Sequence, residues 1–409
     1  MKKIFAGTLL LLMATGMFTG CSSVRNNVTN SLASVRTTDP DFDENKARYM
    51  EFVMDLAGKN AERNEEENVL ISPASVLFAL EMTAAGANGD TLDQMTQVLL
   101  PGATPEQAQA FTLNYLDSLD SNNFGLADSI WIDNSMEGKI KDEYIKYLRE
   151  YYGAEASKLE LCGSEGTIND WVADKTDDRI PELIPAGIFD DLTAAVIVNA
   201  ITFDGVWETS ISDDSVWEGG FTNADGNVTE TDLMSFEEDI WLENDLVTGF
   251  IKPYDGGRYG FMALLPKDED LSGNDILQDL TAEDYMKLWE NREETDVNCI
   301  MPEFEASYHT LLNEDLYELG MEDAFTHKAD FTGITDSNDI MIDQVIHEAM
   351  IDVNREGTEA AAATAVVIRY KSEAPAIAKK SVNCNRPFAY AIIDMEIGLP
   401  VFMGSINQM

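Results

Sequence analysis

The chain has 409 residues, 44 % of them hydrophobic, enough for one large domain or two ordinary ones and too apolar for wholesale disorder. Its 27 Lys+Arg stand against 75 Asp+Glu, a net charge of −48. Such a surface repels phosphate backbones, which sets nucleic acid aside as a partner. The acidity serves either simple solvation or the steering of a cationic partner, and composition does not choose between them.

At the N-terminus Lys2 and Lys3 precede an apolar run, Ile4 to Phe18, too short to span a bilayer stably. Thr19-Gly20-Cys21-Ser22 follows, and the whole resembles a bacterial lipoprotein signal, with Phe18 where such signals more often carry Leu. An ordinary signal peptide with an incidental cysteine is the alternative. On the lipoprotein reading residues 1–20 are removed and Cys21 is acylated. Residues 21–41 are then a Ser-, Asn- and Thr-rich tether, and residues 42–409 form the body. The protein is then expected to be exported, as a cell-envelope lipoprotein or into the extracellular space, and to touch a membrane only through its N-terminal lipid.

Along the body, residues 44–58 show a helical apolar pattern, and Asn68-Val-Leu-Ile-Ser-Pro reads as a short strand stopped by Pro73. Ala74 to Ala85 reads as a buried helix ending at Gly86, followed by helices at 91–100, 105–119, 139–151 and 167–176, with a strand at 126–133. From Ala194 the texture turns to strands. Ala194 to Phe203 is nearly all apolar, as expected of a central strand covered on both faces. Further strands are predicted at 228–234, 240–243, 247–253, 259–265, 297–304, 341–353, 382–394 and 400–406, interrupted by helices at 273–278, 281–290 and 311–319. Helices gathered early and strands late predict an α+β fold in one interwoven domain.

Enzyme motifs are largely missing. There is no phosphate loop, no Gly-x-Ser-x-Gly elbow and no His-Glu-x-x-His, since His347-Glu348 lacks a second histidine four residues on. Carboxylate pairs are uninformative in a chain with 75 acids. Cys162, Cys299 and Cys384 lie far apart, and with only His309, His327 and His347 beside them they predict buried free thiols and no zinc site.

One stretch departs from this plain texture: Arg355-Glu-Gly-Thr-Glu-Ala-Ala-Ala-Ala-Thr-Ala-Val-Val-Ile-Arg-Tyr-Lys371-Ser372. Its Ala-rich centre is a good helix former. Read with period two, positions 358, 360, 362, 364, 366 and 368 are Thr, Ala, Ala, Thr, Val and Ile, while Glu359 and Arg369 fall on the opposite parity. The segment can therefore be loop, helix, or a strand with a small uncharged inner face. As a loop that enters a sheet once cut, it gains ladder hydrogen bonds worth ~0.5–1.5 kcal/mol each. Gly357 is expected to supply a backbone pivot where the loop folds back.

Glu356-Gly357-Thr358-Glu359-Ala360-Ala361-Ala362-Ala363-Thr364 closely resembles the hinge of inhibitory serpins. In the same order Asn68-Val-Leu-Ile-Ser72-Pro73-Ala-Ser75, Asn199-Ala-Ile-Thr-Phe203-Asp-Gly205-Val-Trp207, His347-Glu-Ala and Asn385-Arg386-Pro387-Phe388 resemble further segments of that family, although Ala389 is smaller than usual there. The likeness spans roughly residues 42–409. It implies the serpin fold: about three β-sheets, eight or nine helices and an exposed reactive-centre loop near residues 357–376. It further implies a monomeric suicide inhibitor of extracellular serine proteases, with neither cofactor nor metal and no catalytic group of its own. Ser72, Ser75, Asn199 and His347 would form the polar shutter where the central sheet parts, and Trp207 would lie at the breach above it. Arg355 replaces a common glutamate, which is expected to weaken a salt bridge at the sheet's top. Counting fourteen residues beyond Gly357 puts the scissile bond at Lys371-Ser372, suited to trypsin-like proteases. Tyr370 would suit chymotrypsin-like enzymes, and Val366, Val367 or Ile368 elastase-like ones. A non-inhibitory scaffold lipoprotein that kept the fold and lost the trap is the other reading.

Overall fold

The computed structural model describes residues 39–119, 122–358 and 380–409. Cys21, the hinge residues Glu359, Ala360, Ala361, Ala362, Ala363 and Thr364, and the bond Lys371-Ser372 lie outside these residues. Nine α-helices and three sheets occur among the described residues, and the fold is α+β as predicted.

The largest sheet runs in the order Val69–Ile71, Pro400–Ile406, Phe388–Asp394, Tyr259–Pro266, Val247–Pro253, Val228–Glu243, Glu293–Pro302 and Lys380–Asn383, with Val216–Thr222 also paired to Val228–Glu243. Tyr259–Pro266, Phe388–Asp394 and Pro400–Ile406 are buried throughout, as their near-continuous apolar sequence requires. Two predicted strands, 228–234 and 240–243, are one long strand, because Glu237 and Glu238 pair with Asn298 and Val297 in spite of their charge. Pro387 divides the predicted strand 382–394 in two, and residues 341–345 are not strand.

Two smaller sheets position the site. One has the order Glu155–Leu159, Phe124–Asp133, Ala195–Phe203; the other runs Phe304–Leu311, Ile346–Val353, Gly357–Thr358, Gly205–Val206. Ala195–Phe203 and Ile346–Val353 run alongside each other, with Cα atoms within 8 Å, yet no ladder joins them among the described residues. A seam separates the two sheets. The expectation of a central strand covered on both faces therefore holds only for one half of Ala195–Phe203: Ala200 to Phe203 are buried, while Ala195, Val196 and Ile197 stay partly exposed. Behind the seam lies the helix Pro73–Ala84, nearly all buried, with Pro73 in its first turn and the Ser72 hydroxyl accepting from Ser75 N–H at its start.

Candidate functional site

Ser72, Ser75, Asn199 and His347, which the resemblance groups, lie in one hydrogen-bonded chain beneath the seam. Ser72 N–H donates to His347 Nε2 at 3.1 Å, and Ser72 Oγ donates to the Val401 carbonyl at 2.9 Å. Ser75 Oγ bonds Asn199 Oδ1, and Asn199 Nδ2 donates to Asp128 Oδ1 at 2.7 Å. Since Nε2 of His347 accepts, its proton sits on Nδ1. Burial, helped by His309, lowers its pKa to about 4, so the ring is neutral at ordinary pH. Asp128 was not foreseen. Burial pushes its carboxyl up to about 7 against the opposing effect of the Asn199 bond. A signal existed: Asp128 is an acid on the same parity as Leu126, Ile130 and Ile132, the face turned toward the main core.

At the top of the seam Ile346–Val353 turns through Asn354 to Glu356 and returns as Gly357–Thr358, which pairs antiparallel with Gly205–Val206. Asn354 Oδ1 accepts from the Glu356 and Gly357 amides and holds this turn. Thr358 is fully buried, its hydroxyl bonded to the Tyr254 phenol. Gly357 does not owe its place to conformational freedom as expected, for its φ is not in the left-handed region. A Cβ there would strike the Gly205 carbonyl and the Val206 backbone, so close approach is what demands glycine. Trp207 lies at the top of the seam, next to this turn. Its Nε1 donates to the Asn354 carbonyl at 2.8 Å, its backbone N–H to the Glu356 carbonyl, and its ring stacks on Tyr254 at 4.5 Å.

Two charged features escaped the sequence reading. Lys252, 1 % exposed, sits 5.3 Å from the Trp207 ring centroid and pairs with Glu238 at 2.7 Å. Arg355 does not weaken the sheet's top by replacing an acid, because the bridge is present with its polarity reversed. The guanidinium grips Glu303 through two bonds, 2.7 and 2.9 Å, and reaches Asp213 at 3.1 Å and Asp232 at 3.8 Å. Burial opposes ionisation of Glu303, yet the Arg355 bonds hold its carboxyl below the ordinary range. The expectation of buried thiols holds for Cys299 and Cys384, whereas Cys162 is exposed because it sits in the turn between Glu155–Leu159 and the next helix.

The arrangement is that of two sheets whose facing strands, Ala195–Phe203 and Ile346–Val353, share no ladder among the described residues. A family model described as "Serpin (serine protease inhibitor)" matches residues 47–409. The leukocyte elastase inhibitor of Bos taurus is 30% identical over 380 residues, covering 87% of this chain and 97% of its own. The solved structure of a thermophilic serpin, tengpin, in its native state matches with a TM-score of 0.80 at 32% identity, covering 91% of this chain and 96% of tengpin; the same protein in its latent state gives 0.77 at 31%, covering 91% and 99%. The chain belongs to the serpin family. Its homologues include protease inhibitors, and the family consists in general of inhibitors rather than enzymes.

Proposed function

We propose that this serpin inhibits extracellular serine proteases as a suicide substrate. The protease's serine oxygen attacks the Lys371 carbonyl, the Lys371-Ser372 bond breaks, and the released Ser372 amine takes up a proton. The ester left between protease and Lys371 is trapped when residues from Thr358 onward enter the seam as a new strand. In this reading Ser72, Ser75, Asn199 and His347 are the shutter and Trp207 marks the breach. The observation that carries it is the seam itself. Ala195–Phe203 and Ile346–Val353 present facing edges without a ladder, with Val196 and Ile197 left half-buried, and Gly357–Thr358 already lies at the entrance. Unpaired edges and exposed apolar side chains are what an entering strand would satisfy. The composition of residues 360–364, four alanines and a threonine, offers no bulk to stall that entry.

Lys371 directs the inhibitor toward trypsin-like proteases. Export by the N-terminal signal, with a lipid on Cys21, would display it at the cell envelope. Incubation with trypsin, a chymotrypsin-like enzyme and an elastase is expected to give a denaturant-resistant complex, in highest yield with trypsin, and mass spectrometry of the released C-terminal peptide is expected to begin at Ser372. Clean loop cleavage with full protease activity in all three mixtures would instead indicate a scaffold that kept the fold and lost the trap.

A further inference from the structure

The hydrogen-bonded chain beneath the seam ends in two buried titratable groups of opposite kind, Asp128 on Phe124–Asp133 and His347 on Ile346–Val353, one on each side of the seam. Between them stand Asn199, Ser75 and Ser72, none of which carries charge. Burial favours the neutral form of both ends in the closed sheet, at the expense of the ionised form each would take in water. We propose that Asp128 and His347 are a compensating proton pair: when the sheet parts, Asp128 releases a proton as His347 takes one up, so that opening neither gains nor loses protons across the acid range. This rests on the inhibitor reading above and adds its regulation by pH, or rather its protection from it.

The signs follow from the two shifts. Asp128 has its closed-state pKa raised, from 3.8 to about 7, so its contribution to closure is full below 3.8 and is lost as pH rises toward 7. His347 has its closed-state pKa lowered, from 6.5 to about 4, so its contribution is full above 6.5 and is lost as pH falls toward 4. The two windows nearly coincide, and within them the slopes cancel. Other titratable groups face the pair from the elements packed on it. Tyr152, at the end of the helix Asp142–Tyr151, is close enough to feel the Asp128 charge, and it also feels Glu81 of the helix Pro73–Ala84 and Tyr147. His309 on Phe304–Leu311 stands opposite Glu348 in the ladder and pairs with it, and is near enough to help lower the His347 pKa. These partners are common to wild type and variants, so the comparison between variants isolates the pair.

The test is uptake of a synthetic peptide copying Thr358 to Lys371 into the intact, uncleaved protein, with no protease present. Initial uptake rates are compared between about pH 4.5 and 6.5, where the fold-change per pH unit reads the proton count. Asp128→Asn keeps the shape and leaves His347 uncompensated. Its rate relative to wild type is expected to rise as pH falls, by up to about tenfold per pH unit. His347→Asn leaves Asp128 uncompensated, and its relative rate is expected to fall over the same interval; either variant suffices if the other does not fold. The double variant is expected to track wild type. Parallel profiles for wild type and a folded single variant would overturn the proton pair and leave the inhibitor reading intact. Absence of uptake at every pH, in wild type as well, would overturn the inhibitor reading and the pair with it.

Discussion

Replacing Thr358 by arginine is expected to turn the trap into an ordinary substrate: the loop is still cut, but the yield of denaturant-resistant complex falls at least about tenfold, the equivalent of about 1.4 kcal/mol in the partition between trapping and release. Thr358 is the first inward residue of the entering face, fully buried against the Tyr254 phenol. Tyr254 in turn packs on Phe203 and stacks on Trp207, and Lys252 lies 5.3 Å from the Trp207 ring centroid. A guanidinium there would be desolvated, and the hydrogen-bond partner Thr358 has at that position is a phenol, not a carboxylate. Leaving a buried charge unpaired costs about 3–5 kcal/mol. Entry would slow while hydrolysis of the acyl bond would not, so more protease escapes. The check is a gel separating complex from cleaved inhibitor; undiminished complex in the variant would contradict entry through this position.

The second large effect is expected at the reversed bridge. Arg355→Glu places a fourth carboxylate among Glu303, Asp213 and Asp232, which Arg355 now neutralises. Losing charge-assisted bonds costs about 1.5–3 kcal/mol each when a partner is left behind, discounted here because the arginine side chain is 30 % exposed. Repulsion adds to that loss. The turn that Arg355 anchors also accepts from the Ile211 and Trp207 amides, so its release frees the top of the seam. Thermal unfolding is expected to drop by several degrees, with a rise in self-association through the loosened sheet. The double variant Arg355→Glu/Glu303→Arg restores opposite charges across the same pair and is expected to recover most of the loss. A double variant no more stable than Arg355→Glu alone would show that the bridge does not hold this corner.

Much of this was legible beforehand for physical reasons. The apolar runs 259–265 and 400–406 announce strands buried on both faces, and Ser72-Pro73 announces a capped helix, because both signals are local. The four polar residues beneath the seam were found through a resemblance that names them together; no periodicity would have joined Ser72 to His347, 275 positions apart. What escaped depends on contacts across the fold. Asp128 looks like an interruption of an apolar strand until Asn199 is seen opposite it in the ladder. Arg355 looks like a lost salt bridge until Glu303, in the link between Glu293–Pro302 and Phe304–Leu311, turns to meet it. Gly357 suggests a pivot, yet its reason is the carbonyl of Gly205 pressed against it. The short strand Gly205–Val206 is too brief to leave any pattern at all.

The central claim is that the intact fold stores free energy in an unfilled seam. The most direct measurement is a pair of melting curves, one for the intact protein and one for protein nicked once within residues 359–379 and kept whole. Entry of the freed segment supplies a new strand to both facing edges, and the nicked form is expected to melt tens of degrees higher, or to resist boiling, since even ten new ladder bonds are worth on the order of 10 kcal/mol. Coincident curves would mean that cutting the loop releases nothing, and the seam would then be a resting shape without a trap.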